Sequence, residues 1–120
     1  MDKNRFYYDK KFLGGKSGRP IRLLSEYLSP LESFKKHSIE STVVLFGSAR
    51  IRDNNDNSIN KYFNKAKELA FKVTNWNIKN FSSKKYIITS GGGPGIMEAA
   101  NQGANEAGGK TIGLGISLPF

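Results

Sequence analysis

Apolar and polar positions follow two alternating rhythms through residues 42–116. TVVLF, beginning at Thr42 and bounded by Gly47, is a short β-branched and apolar run that predicts a strand buried on both faces. After the polar loop GSARIRDNNDNS, apolar or bulky residues recur at Tyr62, Ala66, Leu69, Val73 and Trp76. Steps of four and three draw one helix face and put Trp76 in the core. YIIT, at residues 86–89, predicts a second buried strand. Glycines follow, and the stripe Met97, Ala100, Ala104 and Ala107 predicts a second helix with Pro94 in its first position. Gly108 and Gly109 stop that helix, and TIGLGI at 111–116 predicts a third strand.

Strand, helix, strand, helix, strand is the order of a parallel sheet with crossover helices. The expected fold class is therefore α/β: the first half of a Rossmann-like parallel sheet, about three strands, with an N-terminal helical extension. Upstream, residues 1–20 are polar and broken by Gly14, Gly15, Gly18 and Pro20, and they read as a flexible arm. Pro20 opens IRLLSEYL, and Ser29 with Pro30 opens LESFKKH, which predicts two short helices. His37 falls at the end of the second, where it suits the helix dipole better than catalysis. The expected organisation is an arm and helical extension over residues 1–40 and a Rossmann-like nucleotide-binding half over residues 41–120.

Composition narrows the function classes. The 120 residues are 38% hydrophobic and 24% charged, with no apolar run near the roughly 20 residues a membrane span needs. The basic start MDKNRFYYDKKF lacks the apolar core and cleavage site of a secretory leader. With no cysteine there is no disulfide, thiolate metal site or Cys nucleophile. A cytoplasmic protein without a membrane partner is expected. The net charge of +9 raises nucleic acid as a partner. Residues 1–40 hold nine Lys/Arg against five Asp/Glu, residues 41–85 nine against three, and residues 86–120 one against two. The glycine-rich segment is thus not the basic part, and a solvated basic surface is expected rather than a nucleic-acid interface.

In parallel sheets of this kind ligands sit beyond the carboxyl ends of the strands. Two loops fall there, GSAR after the first strand and SGGGPG after the second. Glycines let backbone N–H groups come close to a ligand, and at a helix N-terminus those groups and the dipole favour an anion. Gly91, Gly92, Gly93 and Gly95 therefore read as a cradle for a phosphate or an adjoining ribose. Gly103, Gly108 and Gly109 read as packing and capping positions. The dinucleotide fingerprint does not fit: its third glycine would fall on Ile96 or Glu98. Nor does a P-loop, because GKT at 109–111 follows a helix and opens a strand. In GSAR, Gly47 allows close approach and Ser48 offers a hydroxyl, while Arg50 and Arg52 read as solvated or salt-bridged. Glu98, in the first turn of the glycine-loop helix, suits the dipole and can reach a substrate hydroxyl.

VVLFGSARI (43–51) and ITSGGGPGIMEAANQGANEAGGKTIGLGISLP (88–119) resemble the first half of the LONELY GUY (LOG) family, phosphoribohydrolases often mislabelled lysine decarboxylases. GRPIRLLSEYLSPLESFKKHSIESTVVLFGSARI (18–51) also resembles the N-terminal extension of its longer bacterial members. The resemblance implies hydrolysis of the N-glycosidic bond of a nucleoside 5′-monophosphate, AMP or an N6-modified cytokinin ribotide. Free base and ribose 5-phosphate are the products, and no metal or redox cofactor is involved. It also implies that Ser48, the glycine loop, Ile96 and Met97 line the nucleotide pocket. The family's later P-G-G-x-G-T-x-x-E motif holds the phosphate and supplies a catalytic Glu with a preceding Arg. No such motif occurs before Phe120. Catalytic residues are therefore unassigned, and the chain reads as the N-terminal half of a longer protein.

Such a half leaves a sheet edge and an apolar face uncovered, so a homo-oligomer is expected. Two rival readings share the fold. One is a non-catalytic nucleotide-binding or carrier module similar to molybdenum-cofactor carriers. The other is a basic nucleic-acid-binding domain, since the fold also resembles DNA-processing proteins.

Overall fold

The computed structural model describes residues 5–52, 60–82 and 85–117. The chain divides into two compact units, Met1–Ser38 and Ile39–Phe120. In the first, a 3-10 turn (Phe6–Tyr8) leads into α1 (Lys10–Gly14), and α2 follows over Arg19–Lys36. The Asp9 carboxylate caps α1 by accepting the Phe12 N–H at 3.0 Å. The corner between α1 and α2 needs a glycine, because a Cβ on Gly18 would stand 2.5 Å from the carbonyl oxygens of Phe12 and Leu13. The Arg22 guanidinium closes that corner by donating to the carbonyls of Leu13 and Gly15. Helical turns thus occupy residues 6–14, where composition predicts a flexible arm.

One continuous helix replaces the two short ones expected around Pro30. α2 runs through Pro30, which lacks the N–H that would donate to Glu26. Pro20 sits in the first turn, where the missing donor leaves nothing unsatisfied. At Pro30 a single lost bond does not outweigh the helix-forming residues on both sides. His37 ends α2: its N–H donates to the Ser33 carbonyl at 3.0 Å, and its Nδ1 lies 2.8 Å from the same oxygen.

The second unit is a parallel sheet of β1 (Thr42–Val44), β2 (Ile87–Gly91) and β3 (Thr111–Leu114), in the order β1-β2-β3. It is connected through α3 (Lys61–Phe81) and α4 (Ile96–Glu106), the α/β architecture expected of a partial Rossmann-like fold. Val43 pairs with Ile88, and Ile88 with Thr111. Strand order advances in one direction, so crossovers of a single hand carry both helices to one face. There Ala70, Ile88, Ala100 and Ala104 form the buried core, with Val43, Leu45 and Val73 packed against it. Burying a side chain such as Ile88 stabilises the fold by about 2–3 kcal/mol. Small residues bring the helices together: a Cβ on Gly103 would overlap the Lys67 carbonyl oxygen.

The exposure of β1, an edge strand, corrects the expectation that the first strand is buried on both faces. Val44 is 52% exposed and Phe46, two residues on, 61%. Only β2, flanked by a strand on each side, is buried along its whole length. The phase of α3 also differs from the predicted stripe. Phe63, Ala70, Thr74 and Asn77 are buried, whereas Tyr62, Leu69 and Trp76 are about half exposed. Close packing on α4 through Ala70 and Gly103 turns the helix by about one residue, roughly 100°. Trp76 is therefore not a core residue; at 48% exposure it stands in an aromatic cluster with Phe81 (5.1 Å) and Tyr86 (5.4 Å).

Helix α4 starts at Ile96 rather than Pro94, because Gly95 takes a φ of +80° that no helical residue adopts. The polar loop's residues 53–59, and residues 118–120 after Ser117, lie outside the described residues.

Candidate functional site

The loops after β1 and β2 meet at the carboxyl edge of the sheet. The Ile96 N–H, at the start of α4, donates to the Ser48 carbonyl oxygen at 3.1 Å. A Cβ on Gly95 would overlap that same oxygen, and one on Gly47 would lie 2.6 Å from Ile96 Cβ. The Ser48 Oγ accepts the Arg50 N–H at 3.1 Å, which folds GSAR into a tight turn and leaves the hydroxyl hydrogen able to donate elsewhere. Gly47, Ser48, Gly95 and Ile96 are thus the joint that locks one loop to the other. The helix N-terminus also spends its Ile96 donor on this joint, so that N–H is not part of the expected anion cradle.

Met97 occupies the space above the glycines. A Cβ on Gly91 would overlap its sulfur, and one on Gly93 would lie 3.0 Å from its methyl group. Asn101, one turn further along α4, anchors the base of the loop. Its Nδ2 donates to the Gly91 carbonyl at 3.2 Å, and its Oδ1 accepts the Thr111 hydroxyl at 2.6 Å. The Ser90 hydroxyl donates to the Leu45 carbonyl, tying β2 to the end of β1.

Two clefts open on either side of Gly92, Gly93 and Pro94. The apolar one, about 610 Å³, is lined by Phe46, Ala49, Met97, Leu114 and Ile116 together with Gly91 and Gly115. The other, about 500 Å³, is a shallow hollow of mixed character whose polar side chains are Glu98, Asn101 and Gln102. Glu98 lies in the first turn of α4, where its carboxylate suits the dipole, and it accepts the Gln102 amide at 3.3 Å. Arg50 and Arg52 are exposed, and the Arg52 N–H donates to Asn60 Oδ1 at 3.2 Å.

The structure therefore brings Gly91, Gly92, Gly93, Met97 and Glu98 to the clefts and sets Gly47, Ser48, Gly95 and Ile96 behind them. Sequence reasoning missed Phe46, Leu114 and Ile116, although alternation along VVLF and IGLGI would have put them on one sheet face. It also missed Asn101 and Gln102, which follow Glu98 at helical spacing and so share its side of α4.

Among the described residues no helix is long and apolar enough to cross a membrane. No curated protein matches the chain. The model of the SLOG cluster4 family matches residues 40–118, about two-thirds of the sequence, and takes in β1 to β3 and both loops. The chain belongs to the SLOG cluster4 family, a Rossmann-like group whose superfamily includes LOG-like proteins.

Proposed function

We propose that this chain binds a nucleoside 5′-monophosphate, AMP or an N6-modified relative such as a cytokinin ribotide. In this reading it forms part of an enzyme that hydrolyses the N-glycosidic bond to free base and ribose 5-phosphate. The observation that carries the reading is the locked joint between GSAR and SGGGPG, set beside the cleft of about 610 Å³ at the carboxyl edge of the sheet. Ligands of parallel α/β sheets bind at that edge, and the volume is within the range of small-molecule pockets. Bond cleavage passes through an oxocarbenium-like sugar, which a nearby carboxylate stabilises. Glu98 is the carboxylate that lines these clefts among the described residues.

That a single carboxylate lines them also favours a second reading, nucleotide binding without hydrolysis. Incubation with AMP, followed by chromatography for adenine and ribose 5-phosphate and by calorimetry for binding, separates the two. Release above a Gly92→Asp control supports hydrolysis; binding without release supports the second reading. Neither binding nor release refutes both. The exposed Val44 and Phe46 also support association into a homo-oligomer, a proposal that fails if sedimentation shows a folded monomer.

A further inference from the structure

The glycines of the two loops do not all serve the same purpose. Gly47, Gly91, Gly93 and Gly95 are filled by the protein itself: Ile96 stands where the first would carry a side chain, Met97 at the next two and the Ser48 carbonyl at the last. Gly92 and Gly115 are different. A Cβ on Gly92 would meet nothing nearer than the Leu114 carbonyl oxygen at 3.6 Å, and one on Gly115 nothing within 4 Å. Neither residue is among the glycines with positive φ. The fold therefore does not require glycine at either position, yet both line the apolar cleft.

Gly92 is also part of the wall shared with the Glu98 hollow, in the ridge Gly92-Gly93-Pro94. Without a side chain there, the ridge is a low saddle between an apolar cleft and a shallow hollow of mixed character. On one side are Phe46, Leu114 and Ile116; on the other are Glu98, Asn101 and Gln102. An apolar cleft is a poor place for a phosphate and a good one for the face of an aromatic ring. A carboxylate beside an amide is a good acceptor for vicinal hydroxyls.

Resting on the nucleotide reading above, we infer that the ligand straddles Gly92. Its planar base lies in the apolar cleft against Phe46 and the peptide planes of Gly92 and Gly115, and its ribose hydroxyls lie on the Glu98 side. Gly115 and Phe46 then act as specificity determinants for the base, and Glu98 for the sugar.

The test is calorimetric titration of the full chain with AMP, 2′-deoxy-AMP and ribose 5-phosphate, each variant being checked for its fold by circular dichroism. Phe46→Ala is expected to weaken AMP by about tenfold while leaving ribose 5-phosphate within about twofold. Glu98→Gln is expected to erase the preference for AMP over 2′-deoxy-AMP. Gly115→Val, which the protein has room for, is expected to weaken AMP by about tenfold or more; Gly92→Ala serves the same purpose if that variant does not fold. Equal losses for AMP and ribose 5-phosphate in Phe46→Ala, or an unchanged deoxy preference in Glu98→Gln, would overturn the straddling geometry while leaving nucleotide binding intact. A wild-type chain that binds neither AMP nor ribose 5-phosphate would overturn the nucleotide reading and the geometry together.

Discussion

The α-carbon of Gly95 faces the carbonyl oxygen of Ser48 so closely that any side chain at Gly95 would overlap it. That oxygen also accepts the Ile96 N–H, so the two loops of the site are fastened at one atom. Gly95→Ala combines this overlap with a φ of +80° and should destabilise the protein by about 3 kcal/mol or more. Gly108 supplies the contrast, having a φ of +81° but no atom within 4 Å of a Cβ. There alanine should cost only about 1 kcal/mol. Urea unfolding of the two variants checks the difference, and equal losses would show that the Ser48 contact contributes nothing.

Gly103 tests the contact between the two helices. Alanine favours a helix over glycine by about 1 kcal/mol, but at Gly103 its methyl group would overlap the Lys67 carbonyl. Overpacking should win, with a net destabilisation of about 2 kcal/mol. A raised melting temperature in Gly103→Ala would mean that α3 and α4 separate without penalty.

Asn101 holds the Gly91 carbonyl and the Thr111 hydroxyl together. Asn101→Ala removes the side-chain donor to the Gly91 carbonyl and leaves the Thr111 hydroxyl only the longer contact to the Ile88 carbonyl, and should cost about 1–3 kcal/mol. Thr111→Val removes the one hydroxyl hydrogen that Asn101 Oδ1 (2.6 Å) and the Ile88 carbonyl (3.3 Å) share, and should cost less than the loss of the whole amide. Thermal melts of the two variants rank them, and the reverse order would place the anchor on Thr111.

Glu68 carries the pH signal of α3. A hydrogen bond from Lys72, then the charges of Lys72 and Lys65, hold its carboxyl below the usual glutamate value. The folded-state value is the lower one, so the stabilisation is present above the unfolded value and is lost as pH falls through the folded value. The group is solvent-exposed, so the effect on stability is small. Lys72→Met should raise the Glu68 midpoint in a carboxyl-carbon NMR titration, and about 1 M salt should shift it the same way. A midpoint unmoved by either change would rule out the pair in solution.

The three strands were legible because β-branched runs stand between glycines, as at YIIT before Gly91 and TVVLF before Gly47. The carboxyl-edge position of both loops followed from that order. What filled each glycine was not legible: that Gly91 and Gly93 make room for Met97, and Gly47 for Ile96, depends on atoms brought together by the fold. The phase of α3 was hidden for a similar reason. Periodicity draws the stripe through Tyr62 and Trp76, but the buried face is set by Gly103, far along the chain. Phe46 and Ile116 joined the site through register: they share a sheet face with Val44 and Leu114 at the carboxyl ends of the edge strands, where side chains are exposed.

The central place of β2 also sets an order of assembly. Its bond from Thr111 to the Ile88 carbonyl closes a loop of 23 residues, whereas the bond from Ser90 to the Leu45 carbonyl, which ties in β1, closes one of 45. Each doubling of loop length costs about 0.6 kcal/mol of chain entropy. The shorter closure is favoured, and the β2–α4–β3 segment is therefore expected to form before β1 is added. The loop that carries Ser48 would then arrive last, docking onto a glycine turn that Met97 and Asn101 have already shaped.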